Sequence, residues 1–382
     1  MKVAIVVLNW NQRDATLACL DSLARADLQG AEVWVVDNGS RDGSGEALRA
    51  RLPADRLILL PENRGYAGGN NAGMRAALDA GAEGILLLNN DTTVAADFLL
   101  SLVWALDAAP RAAGVCSAVH RDDLPEMIQI AFSEVRFGER DAVKLRGVNA
   151  LTGGEYSHRQ EVEVAIGCSL LLRAAALREV GLFDEAYFAY HEDVDWCLRA
   201  RALGWTLLYE PWSRVFHRGS GSTAGLVPRP PESAVAHPDL PNAEPLPFNP
   251  VRAYLGARNL VRLMATHATP EQRRQFWRAC LREIPLEYLA MVYDREGWLR
   301  LGRFDWHDVR RLALHERPGL PARIRAAHRS GRARQLTAYL RGLWDGIRDR
   351  PLPLVALGLR ERRLRAPNGC PARAGGRYNR AC

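Results

Sequence analysis

The segment GILLLNNDT (84–92) is a run of apolar residues that ends in two amides and a carboxylate. A short apolar run that stops at polar turn residues is typical of a strand buried on both faces of a parallel sheet. The segments KVAIVVLNW (2–10) and AEVWVVDNGS (31–40) have the same form, and helical patterns follow them. This alternation of strand and helix predicts an α/β fold that is doubly wound around a mostly parallel sheet.

Polar residues mark the ends of these strands, where open α/β sheets bind their ligands. A strand that delivers Asp91 into a crevice could hold a hard divalent cation, and His217 could add a nitrogen ligand that suits Mn²⁺ as well as Mg²⁺. Asp37 could accept hydrogen bonds from a sugar or a base ring. Each aspartate has an ordinary alternative as a turn former, and a lone histidine is often structural.

A loop rich in glycine and asparagine, ENRGYAGGNNAG (62–73), precedes the third predicted helix. Its glycines would let the backbone approach a ligand closely, and Tyr66 and the asparagines offer stacking and amide contacts. The loop matches neither a G-x-G-x-x-G element nor a P-loop. It therefore indicates a ligand contact but no particular nucleotide motif.

The segment YFAYHEDVDWCLRARALG (187–204) places three carboxylates and an imidazole beside aromatic residues. Acidic residues are stabilised in the first turn of a helix, which is a sufficient structural explanation by itself. The alternative is that one carboxylate is a proton acceptor. Asp195 is assigned a structural or capping role, and the apolar residues behind it anchor the helix to the core.

Composition limits the class of protein. There are 48% hydrophobic and 25% charged residues, and no apolar run is long enough to predict a transmembrane helix. The N-terminal apolar run is interpreted as a strand and not as a signal peptide. Seven scattered cysteines without a CxxC pair favour reduced thiols, as in the cytoplasm.

Charge is unevenly distributed along the chain. From residue 251 onward there are 28 arginines and no lysine against 11 acidic residues, whereas the preceding part carries 23 basic and 33 acidic residues. The basic tail predicts an anionic partner, either membrane lipid or nucleic acid. Helical residues 276–300 mix aromatic, aliphatic and arginine side chains, so they would either lie on an anionic membrane surface or pack on the catalytic core.

The motifs in their order resemble glycosyltransferase family 2, in particular its bacterial rhamnosyltransferase-like branch. The resemblance covers residues 1 to about 222, with a further ARNL at 257–260. The motifs that carry it are VVLNWN, VVDNGSRDGS, PENRGYAGGNNAG, LLLNNDT, GCSLLLRAAAL, VGLFDEAYFAYHEDVDWCLRARALGW and FHRGSGST.

The resemblance implies the GT-A nucleotide-diphospho-sugar transferase fold, which is Rossmann-like with a mostly parallel mixed sheet, here with a C-terminal helical extension. We expect a catalytic domain at 1–222, a Pro-rich flexible loop or linker at 223–250, a basic helical extension at 251–365 and a disordered tail at 366–382. The implied activity is inverting transfer of a sugar, from dTDP-rhamnose or a UDP-sugar, to a hydroxyl of a saccharide or lipid-linked acceptor in cell-surface polysaccharide synthesis.

The resemblance also implies roles for individual residues. Asp193 would be the catalytic base, with Glu192 as second choice. Asp91 and His217 would hold Mg²⁺ or Mn²⁺, although Asn89 replaces the first aspartate of the DxD-like motif and leaves one charge fewer for the cation. Asp37 would bind the nucleoside. The further donor-side residues would be Asn9, Asn11, Asn38, Asn63, Gly65, Tyr66, Asn71 and Asn90, and the acceptor-side residues Gly167, Cys168, Tyr190, His191 and Trp196.

Two other classes of protein would explain part of the sequence. A nucleotidyltransferase would share the α/β layer and the metal, but it should carry a Gly-rich loop with Arg or Lys near the first strand, which LNWNQRD lacks. A nucleic-acid-binding protein would explain the basic tail, but no recognition module is present. We therefore expect no nucleic-acid partner, and a location in the cytoplasm, peripheral to the inner face of the plasma membrane.

Overall fold

A computed structural model describes residues 1–152, 154–218, 249–292, 331–354 and 357. Contacts between residues group Met1–Pro351 into one compact unit and Leu352–Cys382 into a second. Most of the predicted linker (223–250) and the whole predicted tail (366–382) lie outside the described residues. The proposed domain boundaries therefore stay predictions.

The described part of the chain largely alternates strands and helices up to residue 107, continues with strands between residues 112 and 173, and is largely helical from residue 250. The strands are β1 (Val3–Asn9), β2 (Glu32–Asp37), β3 (Leu57–Leu59), β4 (Gly84–Asn89), β5 (Thr92–Val94), β6 (Ala112–Arg121), β7 (Met127–Ile130), β8 (Phe132–Val135), β9 (Val143–Arg146), β10 (Ala150–Leu151), β11 (Gln160–Glu161), β12 (Ser169–Arg173) and β13 (Thr206–His217). The helices are α1 (Arg13–Arg25), α2 (Ser44–Arg51), α3 (Gly65–Asp79), α4 (Phe98–Asp107), α5 (Ala174–Val180), α6 (Glu192–Ala202), α7 (Pro250–His267), α8 (Pro270–Val292) and α9 (Gly331–Ile347).

The main sheet has the strand order β10-β7-β6-β12-β4-β1-β2-β3. Strands β4, β1, β2 and β3 are parallel, whereas β12 runs antiparallel between β4 and β6. In the parallel part, Asn9 lies opposite Asp37, and Leu8 lies opposite Asn89, so three polar strand ends meet at one edge. The predicted mixed α/β sheet is confirmed.

Both faces of the central strands are buried, as their continuous apolar sequences predict. Along β1, Val3, Ile5 and Val7 pack with α1 and α4, while Ala4 and Val6 pack with α3 on the opposite face. The period of two in a strand sends alternate side chains to opposite faces, so a strand covered on both sides must be apolar throughout.

The glycine-rich segment predicted as a loop is largely helical, because α3 already begins at Gly65. A Cβ atom at Gly73 would lie 2.3 Å from a methyl carbon of Val6, and one at Gly69 would lie 2.4 Å from a methyl carbon of Leu8. These two glycines therefore serve the close packing of α3 on β1. The prediction that these glycines let the backbone approach a ligand is wrong for Gly69 and Gly73, because they face Leu8 and Val6 of β1.

The C-terminal helical extension is present in the described residues. Helices α7 and α9 pack against each other, and the buried face of α7 joins the core beneath α3 and α6. A search of the described helices finds none that is both long and apolar enough to cross a membrane.

Candidate active site

The end of β1 holds the Asp37 carboxylate in place. The amide nitrogen of Asn9 donates to Oδ1 of Asp37 (2.8 Å) and to Oγ of Ser40 (3.1 Å), and its oxygen accepts from Oγ1 of Thr16 (2.8 Å). Asn90 also donates to Oγ1 of Thr16 (2.8 Å). Asn9 is fully buried. We predicted a direct donor contact for Asn9 and Asn90, but their amides are engaged inside the protein, where they position Asp37.

The turn before α3 is built from a second set of amides. Asn38 donates to Oδ1 of Asn63 and to the backbone oxygen of Gly65, both at 3.0 Å, and accepts from the backbone N–H of Arg64. Asn71 exchanges hydrogen bonds with the backbone of Phe183 (2.9 and 3.1 Å). These buried asparagines were predicted as donor contacts, but their hydrogen bonds tie neighbouring segments together.

Asn11 remains on the surface at the same edge of the sheet. Its backbone has a left-handed conformation (φ 52°), its N–H donates to Oγ of Ser40, and its side-chain oxygen accepts from the N–H of Arg41. The loops after β1 and β2 are thus joined at the mouth of the site. Asn11 lies with the predicted donor-side group.

Asp91 and His217 meet beyond the end of β4. Nε2 of His217 lies 3.1 Å from Oδ1 of Asp91, and its Nδ1 lies 2.7 Å from Oε1 of Gln129. When Nδ1 carries the proton and donates it to Gln129, the lone pair of Nε2 faces the carboxylate, which favours a cation between them. Adjacent ligands of octahedral Mg²⁺ lie about 3 Å apart, so the pair fits such an ion.

The described residues contain no group of three or more His, Cys, Asp or Glu side chains that could hold a metal. A cation bound by Asp91 and His217 would therefore take its other ligands from substrate and water. Mg²⁺ is commonly held in this way, by one or two carboxylates together with phosphate oxygens.

The two candidate bases open helix α6. Asp193 is half-buried, and its two oxygens accept from the backbone N–H groups of Gly167 (3.0 Å) and Val194 (2.8 Å). Burial raises the pKa of Asp193 and outweighs these two hydrogen bonds, which lower it. Burial, with the charge of Asp193 beside it, raises the pKa of Glu192 well above its ordinary value. Oε2 of Glu192 finds no hydrogen-bond donor among the described residues.

Tyr66 connects the donor side to these carboxylates. Its hydroxyl donates to the backbone oxygen of Gly167 (2.7 Å), the residue whose N–H binds Asp193. Burial and the nearby charges of Glu192, Asp193 and Asp91 raise the pKa of Tyr66 well above its ordinary value. The Tyr66 hydroxyl and the Asp193 carboxylate therefore bind the same residue, Gly167, at its carbonyl and its N–H.

A further backbone contact joins the two sides of the site. The N–H of Asn89 donates to the carbonyl of Cys168 (2.9 Å), so the DxD-like segment runs beside Gly167. The thiol of Cys168 is buried, and burial raises its pKa well above its ordinary value. Cys168 is thus next to the site through its backbone, while its side chain belongs to the core.

The segment before α6 is a strained turn. Phe188, Tyr190 and His191 all have left-handed backbone conformations, with φ of 64°, 71° and 71°. Such conformations cost roughly 1–3 kcal/mol each in a residue other than glycine and persist only where surrounding contacts impose them. Burial and the charge of Arg252 lower the pKa of His191 to about 4, and the Arg252 guanidinium lies 5.7 Å from the Tyr190 ring centroid.

Trp196 is not at the site. Its ring is fully buried in the core, and Nε1 donates to the backbone oxygen of Gly181 (2.8 Å). The prediction that Trp196 contacts an acceptor is wrong, because the helical period turns this position of α6 toward the sheet. Tyr187, in the turn before α6, is also fully buried.

Residues 4–180 match the family model for glycosyl transferase family 2. An N-acetylglucosaminyl-diphospho-decaprenol L-rhamnosyltransferase from Mycobacterium tuberculosis is 30% identical over 227 residues, which cover 53% of this chain and 72% of the relative. The dTDP-rhamnosyl transferase RfbF from Shigella flexneri is 25% identical over 212 residues, which cover 56% of this chain and 67% of the relative.

Among solved structures, the mannosyltransferase PcManGT from Pyrobaculum calidifontis, in complex with GDP-Man and Mn²⁺, has a TM-score of 0.49 at 16% identity, covering 91% of this chain and 87% of its own. The mixed sheet with polar strand ends agrees with the architecture that the series of motifs predicts. Since the Mycobacterium relative is 30% identical over 72% of its length, the chain belongs to glycosyl transferase family 2, as a rhamnosyltransferase-like member.

Proposed function

We propose that this chain is an inverting glycosyltransferase that moves a sugar from dTDP-rhamnose or a UDP-sugar to a hydroxyl of a saccharide or lipid-linked acceptor in cell-surface polysaccharide synthesis. Family membership supports glycosyl transfer from a nucleotide-sugar donor and does not favour a nucleotidyltransferase or a nucleic-acid-binding protein. The names of two relatives, an L-rhamnosyltransferase acting on a decaprenol-linked sugar and a dTDP-rhamnosyl transferase, support rhamnose and a lipid-linked acceptor.

The observation that carries this proposal is the convergence of two chemically different groups. Asp193 is linked through Gly167 to Tyr66, and the carbonyl of the next residue, Cys168, accepts from the N–H of Asn89, two residues before Asp91, which pairs with His217. In our proposal, the proton acceptor and the candidate cation site therefore border one crevice at the polar edge of the parallel strands. Inverting sugar transfer needs both groups, one for the attacking hydroxyl and one for the leaving diphosphate.

Asp193 is the better candidate for the base. Burial raises the pKa of both neighbouring carboxyls, and it raises that of Glu192 more strongly. A difference of this kind commonly separates acid and base roles. Glu192 has a strongly raised pKa and lacks a hydrogen-bond donor at Oε2, so its protonated form is favoured. Asp193 keeps two backbone N–H donors, which stabilise its charge and orient both oxygens. In our proposal Asp193 takes the proton of the acceptor hydroxyl as that oxygen attacks the anomeric carbon.

Asp91 and His217 would hold Mg²⁺ or Mn²⁺, with Gln129 fixing the orientation of the imidazole. The bound cation would neutralise the negative charge that develops on the leaving diphosphate. Asp37, held by Asn9, would bind the nucleoside, and Tyr66 would line the crevice between donor and base. Gly167, Tyr190 and His191 would border the acceptor.

Membrane attachment of the basic extension is part of the proposal, because a lipid-linked acceptor would bring the enzyme to the cytoplasmic face of the plasma membrane. Arginine-rich helices with apolar residues can bind anionic lipid surfaces. Residues 293–300 of the predicted membrane-facing stretch lie outside the described residues. This part of the proposal rests on sequence and on the relatives' names.

The test begins with a thermal-shift screen of nucleotide sugars with Mg²⁺ or Mn²⁺, followed by product analysis with the donor that binds. We expect free nucleoside diphosphate and an inverted anomeric configuration by NMR. Release of pyrophosphate, or retention of configuration, would contradict the proposal.

Asp193→Asn should lower kcat by about 10²- to 10⁴-fold with little change in donor affinity. Glu192→Gln imitates a protonated carboxyl and should keep most activity; the reverse order would transfer the role of base to Glu192.

A further inference from the structure

We propose that Asn259 of α7 is a positioning residue for the catalytic base, because its amide clamps the strained turn that aims helix α6. This inference rests on the proposed role of Asp193. Nδ2 of Asn259 lies 2.8 Å from each of three backbone oxygens, those of Tyr187, Ala189 and Tyr190. Asn259 itself is fully buried.

The orientation of this amide is fixed by its neighbour. Nη1 of Arg258 donates to Oδ1 of Asn259 (3.0 Å) and to the backbone oxygen of Ala186 (3.1 Å). Because Oδ1 faces a guanidinium, Nδ2 must face the three carbonyls, where only a donor is stable. Arg258 thus donates to the backbone oxygen of residue 186, and the two N–H bonds of Asn259 Nδ2 are shared among the backbone oxygens of residues 187, 189 and 190.

The clamped turn contains three residues other than glycine with positive φ. Phe188, Tyr190 and His191 are left-handed, and the carbonyls that flank such residues point in directions no regular element would satisfy. Asn259 provides the hydrogen-bond donors that a helix or strand would otherwise supply. Without them, the turn can relax to ordinary backbone conformations.

Relaxation of the turn would move the proposed base. His191 is the residue immediately before α6, and its backbone oxygen accepts from the N–H of Asp195 (2.9 Å), so the turn sets where the helix begins. Asp193 lies in that first helical turn, with Oδ2 held 3.0 Å from the N–H of Gly167. On the opposite side, the carbonyl of Phe188 accepts from the N–H of Ala67 in α3 (3.0 Å). The turn is therefore fixed between α3 and α7.

A positioning role predicts a loss of kcat, whereas a purely structural role predicts only a loss of thermal stability. We expect Asn259→Asp, which keeps the shape but replaces the donors with a carboxylate, to lower kcat by about 10- to 100-fold with little change in the KM for donor. Asn249→Ala is the matched control, because Asn249 caps the N-terminus of the same helix by accepting from the N–H of Arg252 (3.0 Å). Loss of this cap should lower the Tm while kcat stays within about twofold.

A double-variant cycle separates action through Asp193 from other effects. In the Asp193→Asn background, Asn259→Asp should lower the residual kcat by less than about twofold, since the group it positions is already disabled. Arg258→Lys, a milder change that loosens the amide orientation, should lower kcat by about threefold to tenfold and serves if Asn259→Asp does not fold.

Equal kcat for the Asn259→Asp and Asn249→Ala enzymes, or losses that multiply in the double variant, would overturn the inference. Full activity of Asp193→Asn alone would instead overturn the proposed base. In that case the comparison of Asn259→Asp with Asn249→Ala still tests whether the clamp supports catalysis.

Discussion

Oδ1 of Asp195 lies 2.8 Å from Nε2 of His267, which joins the buried side of α6 to the last turn of α7. The same carboxylate accepts from Nε of Arg199 (2.8 Å). Asp195 is buried, so this three-membered group fixes the two helices to each other in the protein interior. The structural role assigned to Asp195 from sequence is consistent with these contacts.

Asp195→Asn should lower the free energy of unfolding by about 3 kcal/mol, because it leaves Arg199 and His267 without their buried anionic partner. Chemical denaturation at neutral pH measures this change. The control is Asp21→Asn, which removes the partner of Arg51 in a surface pair whose side chains are 47% and 44% exposed. That change should cost less than about 1 kcal/mol. Equal decreases in the free energy of unfolding for the two variants would show that the buried group contributes no more than the surface pair.

The stabilisation by Asp195 should depend on pH. Burial opposes its ionisation, but hydrogen bonds from His267 and Arg199 outweigh burial and bring the pKa of Asp195 below its ordinary value of 3.8. A lowered pKa means that the contribution is complete above the ordinary value and is lost as pH falls through the folded-state pKa. The difference in unfolding free energy between wild type and Asp195→Asn should therefore be present at pH 5 and shrink below about pH 4. A difference that grows below pH 5 would contradict this.

Gly65→Ala should destabilise the protein by about 3 kcal/mol and lower its activity, because an added Cβ meets two obstacles at once. The backbone at Gly65 is left-handed (φ 75°), and the Cβ would lie 2.3 Å from the carbonyl oxygen of Phe188. Gly81→Ala is the matched control, since Gly81 has φ 79° but no atom within 4 Å of the added carbon. We expect Gly81→Ala to destabilise the protein by about 1 kcal/mol and to leave its activity normal. Similar losses at both glycines would show that the contact with Phe188 has no consequence.

Gln129→Ala should weaken Mn²⁺ binding by about 10-fold in the presence of nucleoside diphosphate, because the imidazole of His217 loses the partner that orients it. His217→Ala should weaken binding at least as strongly. Electron paramagnetic resonance of free Mn²⁺ measures both without any turnover. His158→Ala, which removes an exposed histidine, should leave the affinity unchanged. Unaltered affinity in both of the first two variants would eliminate this pair as the metal site.

Asp37→Asn should lower affinity for the donor and for free nucleoside diphosphate by about 10-fold, the effect expected when an ionised hydrogen-bond acceptor becomes neutral. Isothermal titration with the nucleotide alone separates this from any change in chemistry. Asp55→Asn offers a control on the surface, where the side chain is 70% exposed. Undiminished nucleotide affinity after Asp37→Asn would rule out the nucleoside contact.

The sheet and the location of the site could be predicted because both depend on local patterns. The apolar runs of β1, β2 and β4 require burial on both faces, and the polar residue that ends each run must lie at the ligand edge of a parallel sheet. The acidic start of α6 likewise follows from the sequence around Asp193.

What could not be predicted is how each amide is used. Asn9, Asn38 and Asn71 look like ligand contacts in sequence, yet their donors and acceptors are taken up inside the protein. Gln129 and His217 are 88 residues apart, and Asn259 reaches backbone atoms about 70 residues away. Such pairings depend on the assembled fold, and a short motif such as ARNL gives no indication of its partners.

The contribution of α7 to the turn before α6 has a consequence for protein engineering. A catalytic module taken from this chain would have to extend at least through Asn259, since the carbonyls of residues 186, 187, 189 and 190 receive donors from Arg258 and Asn259. A hybrid joined before that helix would combine a donor pocket from one parent with a base aligned by the other.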